Sequence, residues 1–64
     1  YKESFKWYEK SANQGNIKSM ERLASAYYFG KGVKEDTRKA KQLYKKSCDK
    51  GLEESCKKLK EYNF

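Results

Sequence analysis

Tyr8-Glu9-Lys10-Ser11-Ala12-Asn13-Gln14-Gly15 returns as Tyr44-Lys45-Lys46-Ser47-Cys48-Asp49-Lys50-Gly51, 36 residues further along the chain. Tyr, Lys, Ser and Gly keep their places in both copies, and past the glycine Ser19 falls on Ser55 and Leu23 on Leu59. A period between about 20 and 50 residues marks a repeat architecture, in which each unit buries its apolar face against its neighbours. At this period the 64 residues hold about 1.8 units. Solenoids usually need about three units, with polar ends, to stand alone. Residues 1–64 therefore read as one repeat segment, expected to be a fragment of a longer protein, since Tyr1 already opens in helical pattern.

Glycine punctuates the chain and proline is absent, so four helices are expected, over about residues 2–13, 17–29, 37–50 and 52–62. In the first, Phe5, Tyr8 and Ala12 share one face, and Gly15 is placed to end it. In the second, Met20, Leu23, Ala24 and Tyr27 recur at i, i+3, i+4 and i+7, an amphipathic stripe. The link from Gly30 to Asp36 permits a reversal, and Asp36 suits an N-cap. The third helix carries Ala40, Leu43, Tyr44 and Cys48 on one side, and the fourth presents Leu52, Cys56 and Leu59. Glu53 and Glu54 lie in the fourth helix's first turn, where negative charge meets the positive end of the helix dipole. No stretch alternates as a strand would. The fold class is all-α, an α/α superhelix (solenoid) of antiparallel helix pairs.

The formal charge is +7, but the acids and bases alternate along helical faces, and 14 of the 16 cations are lysine. Most of this charge reads as solvated surface; the excess favours an acidic peptide, polymer or membrane surface. Nucleic acid is not an expected partner, because arginine, the residue that reads bases and phosphates bidentately, is nearly absent. No run approaches the roughly 20 apolar residues of a transmembrane helix.

The residues in these places resemble the Sel-1-like repeat, an all-helical repeat related in shape to the tetratricopeptide repeat. Leu23, Tyr27 and Tyr28 fit its first helix, and Gly30, Gly32, Val33 and Asp36 its loop. Ala40, Leu43, Tyr44, Ser47, Cys48 and Gly51 fit its second helix, and Trp7 to Gly15 repeat that helix from the preceding unit. Ala24 stands where the family usually has glycine, an exchange of one small residue for another. The resemblance implies a protein- or peptide-interaction scaffold.

Cys48 and Cys56 further resemble the cysteine-rich members of that family in Helicobacter and its relatives, in which each repeat carries a disulfide at this spacing. Here the first copy has Ala12 and Met20 instead. On one continuous helix, positions eight apart would be separated by about 12 Å of rise, too far to bond. If Gly51 reverses the chain, the two sulfurs face one another across a hairpin. A disulfide would place the protein in a secreted or periplasmic setting. Two reduced thiols filling core in a cytosolic protein are the alternative. A metal site is disfavoured, because the chain has no histidine and structural zinc normally takes four Cys or His ligands.

The same absence excludes a Ser-His-Asp or Cys-His catalytic arrangement within the chain. Gly30-Lys31-Gly32 has no strand before it and reads as an interhelical loop, not a phosphate cradle. Cysteine-rich relatives have carried a β-lactamase or penicillin-binding label, and Ser-x-x-Lys occurs as Ser47…Lys50 and Ser55…Lys58. With six serines and 14 lysines such matches arise by chance, and neither Ser-Asp-Asn nor Lys-Thr-Gly accompanies them. No catalytic residue and no cofactor is expected; a β-lactam-acting cell-wall enzyme and a structural piece of a larger envelope assembly are the alternatives to an interaction module.

Opposite the core stripe of the second helix, helical geometry places Lys18, Arg22, Ser25 and Phe29, with Tyr28 beside them. Moving the same surface to the fourth helix adds Glu54, Lys58 and Glu61. These eight residues are the candidate peptide-binding face, the alternative being that they are merely solvated surface.

Overall fold

The turns that divide the chain are built alike. Gly15 and Gly51 have φ of +92° and +105°, a region that side-chain-bearing residues rarely enter. The Gly15 amide donates to the Ala12 carbonyl at 3.0 Å and the Asn16 amide to the Ser11 carbonyl at 3.1 Å. At the second turn the Gly51 amide donates to Cys48 and the Leu52 amide to Ser47, both at 3.0 Å. Paired bonds of this kind satisfy the last carbonyls of a helix while turning the chain away from its axis. The duplication in the sequence is thus a duplication of hydrogen bonds.

The computed structural model describes residues 2–62, in which these turns separate α1 (Lys2–Asn13), α2 (Ile17–Phe29), α3 (Thr37–Asp49) and α4 (Glu53–Glu61). The third and fourth helices are shorter than expected. α3 stops at Asp49 rather than residue 50, because Lys50, at φ −86° and ψ 2°, has already left helical geometry. Leu52 has extended backbone, φ −85° and ψ 99°, and acts as the N-cap of α4 instead of its first residue; Tyr62 follows the helix as its C-cap.

Side chains fix two of the helix starts. Asn16 Oδ1 accepts from the Ser19 amide at 3.1 Å, and Asp36 Oδ1 accepts from Arg38 and Lys39 at 3.1 and 3.2 Å. Each bond satisfies an amide that the helix itself leaves without a partner. Leu52 offers no such acceptor, so α4 has only the carboxylates of Glu53 and Glu54 to complement its dipole.

Each helix packs against the next in chain order. Ala12, Met20 and Leu23 form one buried cluster, joined by Phe5, Tyr8, Tyr27 and Leu43. Ala24, Ala40 and Tyr44 form the second, joined by Tyr28, Leu59 and Tyr62. Leu43 and Tyr27 touch both clusters, so the apolar interior is continuous along the stack. The fold is a four-helix α/α solenoid.

Cys48 and Cys56 form a disulfide that joins α3 to α4, with Cα atoms 4.8 Å apart. That distance lies within the range a disulfide spans and requires the reversal at Gly51. Ala12 and Met20 are both buried at the corresponding place between α1 and α2. One hairpin is held by apolar contact and the other by a covalent bond. Among the described residues no helix is long and apolar enough to cross a membrane.

Candidate peptide-binding groove

The polar side of α2 does not stand in open solvent. α1 and the first turn of α4 flank it, leaving an open groove of about 460 Å³. Four of the expected residues line it: Lys18, Arg22 and Ser25 from α2, and Glu54 from α4. α1 contributes Ser4, Phe5 and Tyr8, and the loop after α2 contributes Lys31. Phe5 and Tyr8 also pack into the first core cluster, so the groove has a floor anchored in the interior.

Arg22 is held in place before any ligand arrives. Its guanidinium carbon lies 5.7 Å from the centre of the Tyr8 ring, and Nη1 donates to the Tyr8 hydroxyl at 3.5 Å. A cation over an aromatic face is attracted by the ring quadrupole, worth about 0.5–1 kcal/mol at an exposed site. The long side chain is thus oriented while its remaining donors stay available to a carboxylate. Lys18, Arg22 and Lys31 give the groove three cations against Glu21 and Glu54.

Ser25 links the groove to the core. It lies beside the hydroxyl of Tyr44, whose side chain is fully buried, and its neighbourhood draws the phenol's pKa down. Burial is the larger effect and pushes the phenol well above its ordinary value of 10.0, with Tyr62 adding to the rise.

The other four expected residues lie elsewhere. Tyr28 stacks on Tyr62, with ring centroids 4.1 Å apart and planes 9° from parallel. Phe29 stands edge-on to Tyr28 at 5.0 Å, is 52% exposed, and carries Lys31 Nζ 5.6 Å above its ring. Lys58 Nζ lies 3.3 Å from the Tyr62 hydroxyl, and that hydrogen bond raises the lysine's pKa against an opposing desolvation. Glu61 is exposed on α4 and does not line the groove. The eight residues therefore divide into a charged groove and an aromatic cluster at the far ends of α2 and α4.

Tyr62 was absent from the expected face, yet it is the hub of that cluster. Adding 36 to Ala26 identifies the position, but the change from alanine to tyrosine gives no pattern to follow. Tyr8, Glu21 and Lys31 were missed for a different reason: their place in the groove depends on how helices pack, not on spacing along one helix.

The Ser-x-x-Lys serines are closed off. Ser47 and Ser55 are both 0% exposed, and the Ser47 hydroxyl donates to the Leu43 carbonyl at 2.7 Å. Neither can meet a substrate in this fold.

Neither the curated proteins nor the solved structures include a match to this chain. The family model for the Sel1 repeat matches residues 1–16 and again residues 17–52. The second match takes in α2, the Gly30–Asp36 link, α3 and the Gly51 turn, and the first takes in α1 and the equivalent turn at Gly15. A helical stack whose turns repeat every 36 residues, matched over both copies, places this chain in the Sel1 repeat family, whose repeats build protein-interaction modules.

Proposed function

We propose that this chain is a docking scaffold that holds an acidic segment of a partner protein along the groove between α1, α2 and the start of α4. The observation that carries the reading is the fixed position of Arg22 over Tyr8, flanked by Lys18 and Lys31. Preorganised side chains lose less freedom on binding, so the cost of association falls. Partner carboxylates pair with the cations, and Phe5 and Tyr8 offer apolar contact beneath them. The disulfide supports an oxidising setting, secreted or periplasmic, for this encounter.

The test is charge reversal at Lys18 and Arg22, with the wild-type and K18E/R22E proteins as baits for native extracts of the source cells. Partners quantified by mass spectrometry should be recovered at least about tenfold less by the variant, as expected when close charge pairs are lost. The thermal midpoint should stay within a few degrees, because both residues are exposed. Equal recovery by the two baits overturns the assignment.

A further inference from the structure

The charges of the groove are sorted between its two sides. Arg22 turns toward α1, where the Tyr8 ring and hydroxyl hold its guanidinium. Glu21, about 100° round the α2 axis from it, stands three residues before Ala24 and seven before Tyr28. Those two mark the side of α2 that meets the later helices: Ala24 packs with Ala40 and Tyr44, and Tyr28 stacks on Tyr62. The Glu21 carboxylate accordingly bears on Tyr44 of α3 and Lys58 of α4, helping to raise the pKa of each. Glu54 faces the same groove from the first turn of α4.

Lys18 stands in the first turn of α2 and Lys31 in the loop after it, so cations follow the groove from end to end. Both acids lie on the α4 side. Glu21 is half-buried and Glu54 exposed, and among the described residues neither carboxylate forms an ion pair. A segment carrying acids alone would meet these two as like charges, which an interface penalises. In an extended segment neighbouring side chains point to opposite sides. Acids and bases in alternation would therefore send every acid toward Arg22 and its lysines, and every base toward Glu21 and Glu54.

We propose, on the footing that this groove is the docking site described above, that its occupant is an extended segment in which acidic and basic residues alternate. The α1 side and the two ends take the acids, and the α4 side takes the bases. From Lys18 to Phe29 the helix rises about 17 Å, the length of about five extended residues. Glu21 and Glu54 thus set specificity, by rejecting a wholly acidic segment as much as by pairing with a mixed one.

The test uses octapeptides carrying an uncharged fluorophore, with binding read by anisotropy at 0.15 M salt. One probe alternates glutamate and lysine, a second holds the same residues in two blocks, and a third is all glutamate. The first two are neutral overall, so the +7 charge of the protein does not separate them. Like charges at i and i+4 also keep the alternating probe from turning helical. The wild type should bind the alternating probe at least about threefold more tightly than the block probe. Glu21→Gln with Glu54→Gln should erase that difference and tighten binding of the all-glutamate probe. Glu53 still meets the α4 dipole in this variant, and circular dichroism should be unchanged. The proposal is overturned if the wild type binds both isomers equally, if it prefers the block isomer, which marks a helical occupant, or if its preference survives the double substitution. Any of these leaves docking of an acidic segment standing so long as K18E/R22E weakens binding of the all-glutamate probe; if that variant changes nothing, both readings fall.

Discussion

Tyr28 and Tyr62 lie nearly parallel with ring centroids 4.1 Å apart, and through this stack α4 reaches past α3 to the end of α2. Tyr44 and Phe29 approach the Tyr62 ring edge-on, at 5.8 and 6.3 Å. Edge and face contacts of this kind add about 0.5–1.5 kcal/mol to simple area burial. Tyr62→Ala should therefore cost about 2 kcal/mol, with Tyr28→Ala close behind. Urea denaturation of both single variants and the double should show the double falling well short of the sum, since the two rings share one contact. Additive losses would mean that the stack carries no energy of its own.

The two hairpins differ at one crossing, and the chain supplies its own control. Reducing Cys48–Cys56 should lower stability by about 2.5 kcal/mol on the chain-entropy account of an eight-residue separation. For a chain of this size that is about 10–20 °C in thermal midpoint. Copying the other hairpin with Cys48→Ala and Cys56→Met should recover part of the loss, because Ala12 and Met20 are buried in that role. Melting curves of the oxidised, reduced and substituted proteins decide it, the expected order being oxidised, substituted, reduced.

Gly51 has open space where a Cβ would sit, so only its φ of +105° resists substitution. Gly51→Ala should cost about 1–2 kcal/mol without any steric clash, read as a shift in urea midpoint at constant slope. Gly15→Ala should match it, since the turn and its bonds are the same.

Alkaline pH should unfold the protein from a defined pair of groups. Tyr44 and Lys58 both hold their protons more tightly in the fold than their ordinary values of 10.0 and 10.5 allow, the first through burial and the second through its bond to Tyr62. Above about pH 10 the unfolded chain therefore binds fewer protons than the folded one, and unfolding free energy falls as pH rises. The stabilisation is complete below the ordinary values and is lost as pH climbs through the folded-state ones. Urea midpoints at pH 8 and pH 11 should show a drop in the wild type that is smaller in Tyr44→Phe. Equal drops would acquit the phenol.

Helix number, the turn residues and the hairpin disulfide were legible in the sequence because each rests on short-range chemistry. Asp36 precedes a helix and caps it; Gly15 and Gly51 end helices in the one conformation that favours glycine; Cys48 and Cys56 straddle such a turn. The ends of α3 and α4 were misjudged by a residue because Lys50 and Leu52 carry no distinctive preference for leaving a helix. The groove was legible by half. Lys18, Arg22 and Ser25 share a helical face, but Tyr8 and Lys31 join them through tertiary packing, and Tyr28 turns instead toward Tyr62. Periodicity along one helix shows which way a residue faces, not what comes to meet it.

The bridge between α3 and α4 also governs how the solenoid would yield to mechanical load. Pulled from its two ends, a stack secured by nearest-neighbour contacts comes apart helix by helix. Here the covalent stitch makes α3 and α4 peel away as one piece. The first seam to open under tension is then α1 from α2, where alanine and methionine hold by contact alone.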